Sequence, residues 1–294
     1  MAAKARGSSI KAIAALAIIS AGATVAGCAS RPAARPFNLS SAQAFANSIA
    51  DRTATVSPPG NIPGDLIRYR TIEYSTAVVN AGTPGAFTAF VTVARTVSVY
   101  PSSAASVDTA EEHPLAFTTA SDRDRWVAAG SPALVPAGSS KALFLPPGQF
   151  SFVLQGTPLT YQQASDLPGT PGAFSAQILS HLRPLTGTQP PATLVLKQLG
   201  YLIAVAPLPP AARSAAWQVA ASLPGLYLCG TGTDLSGRRG EGLCAAAEGE
   251  ETEILVNKRT GSVLAIEERL QRPSPIYPTV SGGSLIQSIT FIES

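Results

Sequence analysis

Histidine is nearly missing from this chain of 294 residues: there are two, His113 and His181. With so few imidazoles, the metal centres and proton relays that depend on histidine have almost nothing to be built from. Cysteine is also scarce. The three present, Cys28, Cys229 and Cys244, include no C-x-x-C pair, so a thioredoxin-type motif and a zinc knuckle are both excluded. No G-x-S-x-G elbow occurs, which removes the nucleophile signature of one large hydrolase class. Charge is sparse too, at 13% of residues, and beyond residue 27 it cancels, eighteen basic against eighteen acidic. That balance removes any global attraction for nucleic acid or anionic lipid.

What is present is concentrated at the start. Lys4, Arg6 and Lys11 stand in a segment of 27 residues that holds no acid, followed by an apolar run from Ala12 to Val25 and then Val25-Ala26-Gly27-Cys28. This is the order of a secretory signal ending in a lipobox: the small residues fit a narrow peptidase cleft and the Cys28 sulfur accepts a diacylglyceryl group. A run of about 14 residues is too short to span a bilayer, which takes about 20. The expectation is a signal peptide over 1–27, lipid attachment at Cys28, and a mature chain on the extracytoplasmic face of a cell membrane. The stretch 28–39, rich in Ala, Pro and Ser, reads as a flexible tether to a single domain over 40–294.

Ser40 and Gln43 have the form of a capping box, with Ala42, Phe45, Ala46, Ile49 and Ala50 at helical spacing behind them. Leu66 to Val79 and Phe87 to Tyr100 read as two long strands, the second alternating clearly. From Pro101 to Pro171, Pro, Gly and Ser predict irregular connections with brief edge strands. Thr170-Pro171 opens a helix carrying Phe174, Ile178, Leu179 and Leu182, and Pro209-Pro210 opens another that ends at Pro224-Gly225. Between them, Thr193 to Ala206 fits either a helix or a buried strand. The rest reads as a meander whose turn at Asn257–Gly261 pairs Ile254-Leu255-Val256 with Val263–Ile266. Helices grouped apart from antiparallel strands predict an α+β fold.

With Cys28 assigned to lipid, Cys229 and Cys244 remain, on either side of the turn at Asp234-Leu235-Ser236-Gly237. A two-residue turn at Ser236-Gly237 sets them directly opposite each other, whereas a three-residue loop at Leu235–Gly237 shifts the register by one and requires a compensating bulge. An oxidising exterior favours a disulfide in either register. In the chain-entropy model, closing a loop of this size contributes about 3 kcal/mol.

Few other residues offer chemistry. His113, after Glu111-Glu112, admits a carboxylate-oriented imidazole, but a surface histidine beside acids is the commoner case. His181 falls at the end of a helical stretch, where a cation suits the dipole. Arg238-Arg239 beside the turn should face water, and Glu248, Glu250, Glu251 and Glu253 should form a solvated acidic rim that matches no calcium loop. Trp126 and Trp217 read as core or interface anchors. No residue set predicts a cofactor or a metal.

WVAAGSP (126–132), LPPGQFSF (145–152), PLTYQQASDLPGTP (158–171), APLPPAARSAAW (206–217), LPGLYL (223–228), DLSGRRG (234–240) and NKRTGSVLAIEERL (257–270) occur in this order. The series resembles an uncharacterised actinobacterial family of membrane-anchored exported proteins, often encoded beside extracytoplasmic-function sigma factors. This chain carries a lipobox in place of that family's membrane helix. The family has no established catalytic residues, so the resemblance implies none here. More distantly, the layout is similar to the half-barrel domains of periplasmic lipoprotein carriers and sigma-regulator sensors. That similarity implies a curved antiparallel sheet with helices on one face.

The expectation is therefore a non-enzymatic lipoprotein that binds a hydrophobic or protein ligand at the envelope, in the manner of an envelope sensor. The alternative is a structural adaptor that recruits a membrane partner, and an envelope hydrolase using His113 with Glu112 or a nearby Ser stands behind both.

Overall fold

The computed structural model describes residues 39–55, 64–79, 85–134, 143–154, 156–186, 190–247, 249–274, 277 and 280–292. The expected signal peptide, Cys28 and the expected tether up to residue 38 lie outside these. Among the described residues no helix is long and apolar enough to cross a membrane.

Helix α1 (Leu39–Thr53) leads to three strands of equal length, β1 (Ile67–Val79), β2 (Phe87–Val99) and β3 (Ala105–Phe117). Then come α2 (Ala120–Ala128), the short β4 (Leu143–Leu145), and the helices α3 (Tyr161–Ser165), α4 (Pro171–Thr186), α5 (Ala192–Val205) and α6 (Pro210–Ala221). Five strands close the chain: β5 (Tyr227–Thr233), β6 (Arg239–Ala247), β7 (Glu250–Val256), β8 (Val263–Leu270) and β9 (Leu285–Ile292). All nine form one curved sheet in the order β4-β3-β2-β1-β9-β8-β7-β6-β5, antiparallel throughout and not closed into a barrel. Two meanders thus meet where the last strand returns to the first, in a ladder from Arg70↔Ile292 to Ser75↔Gln287. This is the predicted α+β class with a curved antiparallel sheet.

One face of the sheet is covered by helices. Helix α5 lies on β6, β7 and β8, and α6 packs against α1, α4 and α5. Leu196, Leu199 and Leu202 of α5, Ile254, Ile266 and Ile289 of the sheet, and Ala212, Ala216 and Trp217 of α6 belong to one buried cluster. Its burial removes the ambiguity over Thr193–Ala206. A segment of 14 residues apolar on nearly every side satisfies its own backbone as a helix and still fills the space between sheet and α6. In α1, Ala42, Ala46, Ile49 and Ala50 are buried, as their spacing predicts.

The segment Pro101–Pro171 departs from the expectation of irregular chain. It contains β3, a full 13-residue strand, and the helix α2. Glu111, Glu112 and Pro114 obscure the strand in the sequence, yet they are tolerated because β3 pairs with β4 over only Ala105–Val107, leaving Asp108–Phe117 without a described neighbour on its outer side. An outer strand needs no ladder hydrogen bond from a proline nitrogen on its open side and accepts charge. Helix α2 is anchored through its first turn: Asp122, fully buried, accepts from the Thr88 backbone N–H (3.2 Å) and the Thr119 hydroxyl (2.7 Å), while the Thr119 hydroxyl caps the Asp122 N–H.

Candidate functional site

The β5–β6 hairpin settles the cysteine register. Leu235-Ser236-Gly237 forms the three-residue loop, with Asp234 and Arg238 closing it, and Gly237 supplies the left-handed conformation (φ 81°) that such a loop needs at its last position. Pairs run from Thr233↔Arg239 to Gly230↔Gly242, and then the register slips by one at Cys229 so that Leu228 faces Leu243. That slip is the compensating bulge of the second alternative. It brings Cys229 to Cys244 at disulfide distance, with Cα atoms 5.9 Å apart.

Arg238 does not face water as expected. Its Nε donates to Asp234 Oδ2 (2.7 Å), and its Nη2 donates to the backbone carbonyls of Leu264 (3.2 Å) and Phe291. The Asp234 carboxylate also accepts from the Ser236 and Arg238 N–H groups, both at 2.9 Å. This clamp lays the hairpin tip across the face of the sheet opposite the helices, where Leu235 packs against Tyr74 and Phe90. A guanidinium serving one carboxylate and two carbonyls at once is not replaceable by a lysine ammonium. Arg238→Ala should cost about 2 kcal/mol and Arg238→Lys should recover little of it, as read from urea unfolding midpoints. Arg239, by contrast, is exposed.

The acidic rim also needs correction. Glu248 lies outside the described residues, but Glu251 and Glu253 are buried, because strand alternation in β7 turns both toward the face that the hairpin tip covers. Glu251 accepts from the Tyr227 hydroxyl and from Gln271 Nε2 (2.7 Å). Glu253 stands opposite Cys244 in the β6–β7 ladder, and its carboxylate and the two sulfurs lie within 4.8 Å of one another. A side chain on Gly242 would overlap both the Glu253 carboxylate and the Cys229 sulfur. These three residues are the potential metal ligands that converge among the described residues, and with the sulfurs at bonding distance they hold no vacant pair of thiolates.

His113 pairs with Thr92 in the β2–β3 ladder, between two register shifts. The side chains of 110–114, and with them the His113–Glu112 pairing, lie outside the described residues. His181 is in α4, where its ring meets the Thr157 carbonyl at 3.0 Å and its own carbonyl accepts the Thr157 N–H, so it pins a loop. Trp217 is fully buried in the core. Trp126 is half-buried, donates to the Pro132 carbonyl (3.0 Å) and stacks at a tilt on Phe117 with centroids 5.4 Å apart. With Leu115, Ala116, Thr119, Ala120 and Arg123 these rings line a groove of about 560 Å³ at the Phe117 end of β3.

Polar groups that no sequence pattern marked lie under α5. Lys197 Nζ donates to Glu268 Oε2 (2.7 Å) and Gln287 Oε1 (2.8 Å), and the Tyr69 and Tyr201 hydroxyls meet at 3.1 Å. Arg213, 2% exposed, donates to the Ile203 carbonyl near the end of α5, and burial pushes its pKa down to about 10. Glu73 pairs with Arg95 at 3.3 Å. Burial pushes the Glu73 carboxyl above its ordinary range, against the opposing pull of Arg95 and Thr71. A carboxyl raised by folding stabilises the fold below its unfolded pKa, and that contribution is lost as pH rises through the folded value. Glu73→Gln should therefore gain on the natural chain as pH rises above the unfolded carboxyl value of about 4.3, as read from paired urea titrations.

Compared with family models, with curated proteins and with solved structures, the chain matches none.

Proposed function

We propose that this protein is a lipid-anchored docking module on the extracytoplasmic face of a membrane, held through a diacylglyceryl group on Cys28, and that it binds an extended segment of an envelope protein along the outer edge of β3. One juxtaposition carries the reading: the edge from Asp108 to Phe117 has no ladder partner on its outer side among the described residues, and it runs into the groove of Leu115, Phe117 and Trp126. A strand added there finds ladder partners along β3, while the groove accepts an apolar or aromatic anchor from every second residue. Arg123 at the margin suits a carboxylate on the incoming segment. A protein ligand is favoured over an acyl chain because α5 and α6 fill the helical face of the sheet with packed side chains. The lipobox and the resemblance to exported, membrane-anchored proteins support the address. The scarcity of histidine, and of any nucleophile signature, supports binding over turnover.

A photo-crosslinking amino acid at Arg123, in intact cells, should give one discrete adduct that disappears when Trp126→Ala is added. The same amino acid at Lys258, on the β7–β8 turn, should give none. Absence of an adduct at Arg123, or equal adducts at both positions, would remove the docking reading.

A further inference from the structure

We propose that Cys229–Cys244 is a thiol-exchange site: a disulfide opened by an incoming low-molecular-weight or protein thiol at Cys229, with Glu253 positioned to handle the proton at Cys244. This stands on the β5 edge and does not depend on docking at β3.

Four observations converge on it. The two sulfurs are unequal, since Cys244 is fully buried and Cys229 is half-buried. Cys229 occupies the bulge of β5, and β5 is the last strand of the sheet, so the reachable sulfur sits on an edge, at the kind of irregularity that re-aims a side chain. Glu253, 3% exposed, stands directly opposite Cys244, its carboxylate within 4.8 Å of both sulfurs. Finally, the hairpin is held independently by its own ladder and by the Arg238–Asp234 clamp, so the two strands stay paired when the bond opens. A bond whose opening leaves the hairpin paired, with its less buried cysteine on the edge strand, is placed for exchange.

The exchange balances as two displacements. An external thiolate attacks Cys229 Sγ, forming a mixed disulfide as the Sγ–Sγ bond breaks. The electron pair passes to Cys244 Sγ, which takes up a proton beside the Glu253 carboxyl. A second external thiolate then attacks the outer sulfur of the mixed disulfide, releasing the external disulfide and leaving Cys229 as a thiolate. Two external thiols are oxidised and the protein disulfide is reduced to two thiols. Glu253 acts through Cys244 and is a positioning residue.

The test uses the full-length lipoprotein in detergent, without denaturant. Millimolar dithiothreitol at neutral pH should open the bond within minutes, read by alkylation and mass, while the near-ultraviolet circular dichroism is retained. Glu253→Gln should slow opening by about tenfold, and Glu251→Gln should not. Cys244→Ser should take up one glutathione, on Cys229, from oxidised glutathione. A bond that opens only in denaturant identifies a structural staple and overturns the proposal, as does loss of tertiary dichroism on opening. Faster or unchanged opening in Glu253→Gln overturns the part assigned to that carboxyl. Should Glu253→Gln fail to fold, opening of the natural chain and glutathione capture by Cys244→Ser still decide the exchange site.

Discussion

Trp217→Ala should lower the stability of the domain by about 3–5 kcal/mol, the largest effect expected of any single core truncation here. Trp217 is fully buried in α6, within the cluster that joins α1, α4 and α5 to the sheet. Removing the indole deletes most of a large side chain from a layer bounded by helices on both sides, where the walls can collapse only partly. Its Nε1 has no hydrogen-bond partner among the described residues. Trp217→Phe therefore relieves a buried polar group while leaving a smaller void, and its cost should stay near 1 kcal/mol. Urea unfolding of the two variants separates these effects. Equal losses would show that Trp217 is not held by packing.

Cys28→Ser should move the protein from the membrane to the soluble fraction and abolish incorporation of labelled palmitate. The effect is close to all-or-none because each buried acyl methylene contributes about 0.8 kcal/mol, and durable anchoring takes two chains. A high-salt and carbonate wash of the membranes is the check, because with zero net charge beyond residue 27 no electrostatic attachment is available to hold the variant in place. A variant that remains in the washed membrane would sink the lipid anchor. The docking proposal would then lose its compartment, although the thiol-exchange site would still be testable in isolation.

The elements that were legible in the sequence are those whose signals are local. The alternation of β2, the proline-opened helices α4 and α6, and the Asn257–Gly261 turn with Gly261 at φ 74° all formed as read. In each, a few neighbouring residues set the backbone conformation without help from distant chain. β3 was not legible, because charges and a proline are admitted where a strand has no ladder partner among the described residues on its outer side, and position in the sheet is a property of the whole fold. Arg238 was misread for a related reason. Its partners Leu264 and Phe291 are 26 and 53 residues away in sequence, so nothing near it announces a clamp. Glu251 and Glu253 resemble a solvated run until Tyr227 and Gln271 close on the first and the two sulfurs on the second.

By itself, the sequence determined the α+β class and the presence of a hairpin that brings Cys229 near Cys244. Each is encoded in short spacings of charge, apolar residues, glycine and proline that act over one turn or one strand. Only the tertiary structure decided the register of that hairpin, the burial of Glu253 against the sulfurs and the place of β3 beside β4 at one end of the sheet. Those depend on which strands become neighbours across the sheet, and strand order follows from burying one continuous core, which no local pattern specifies.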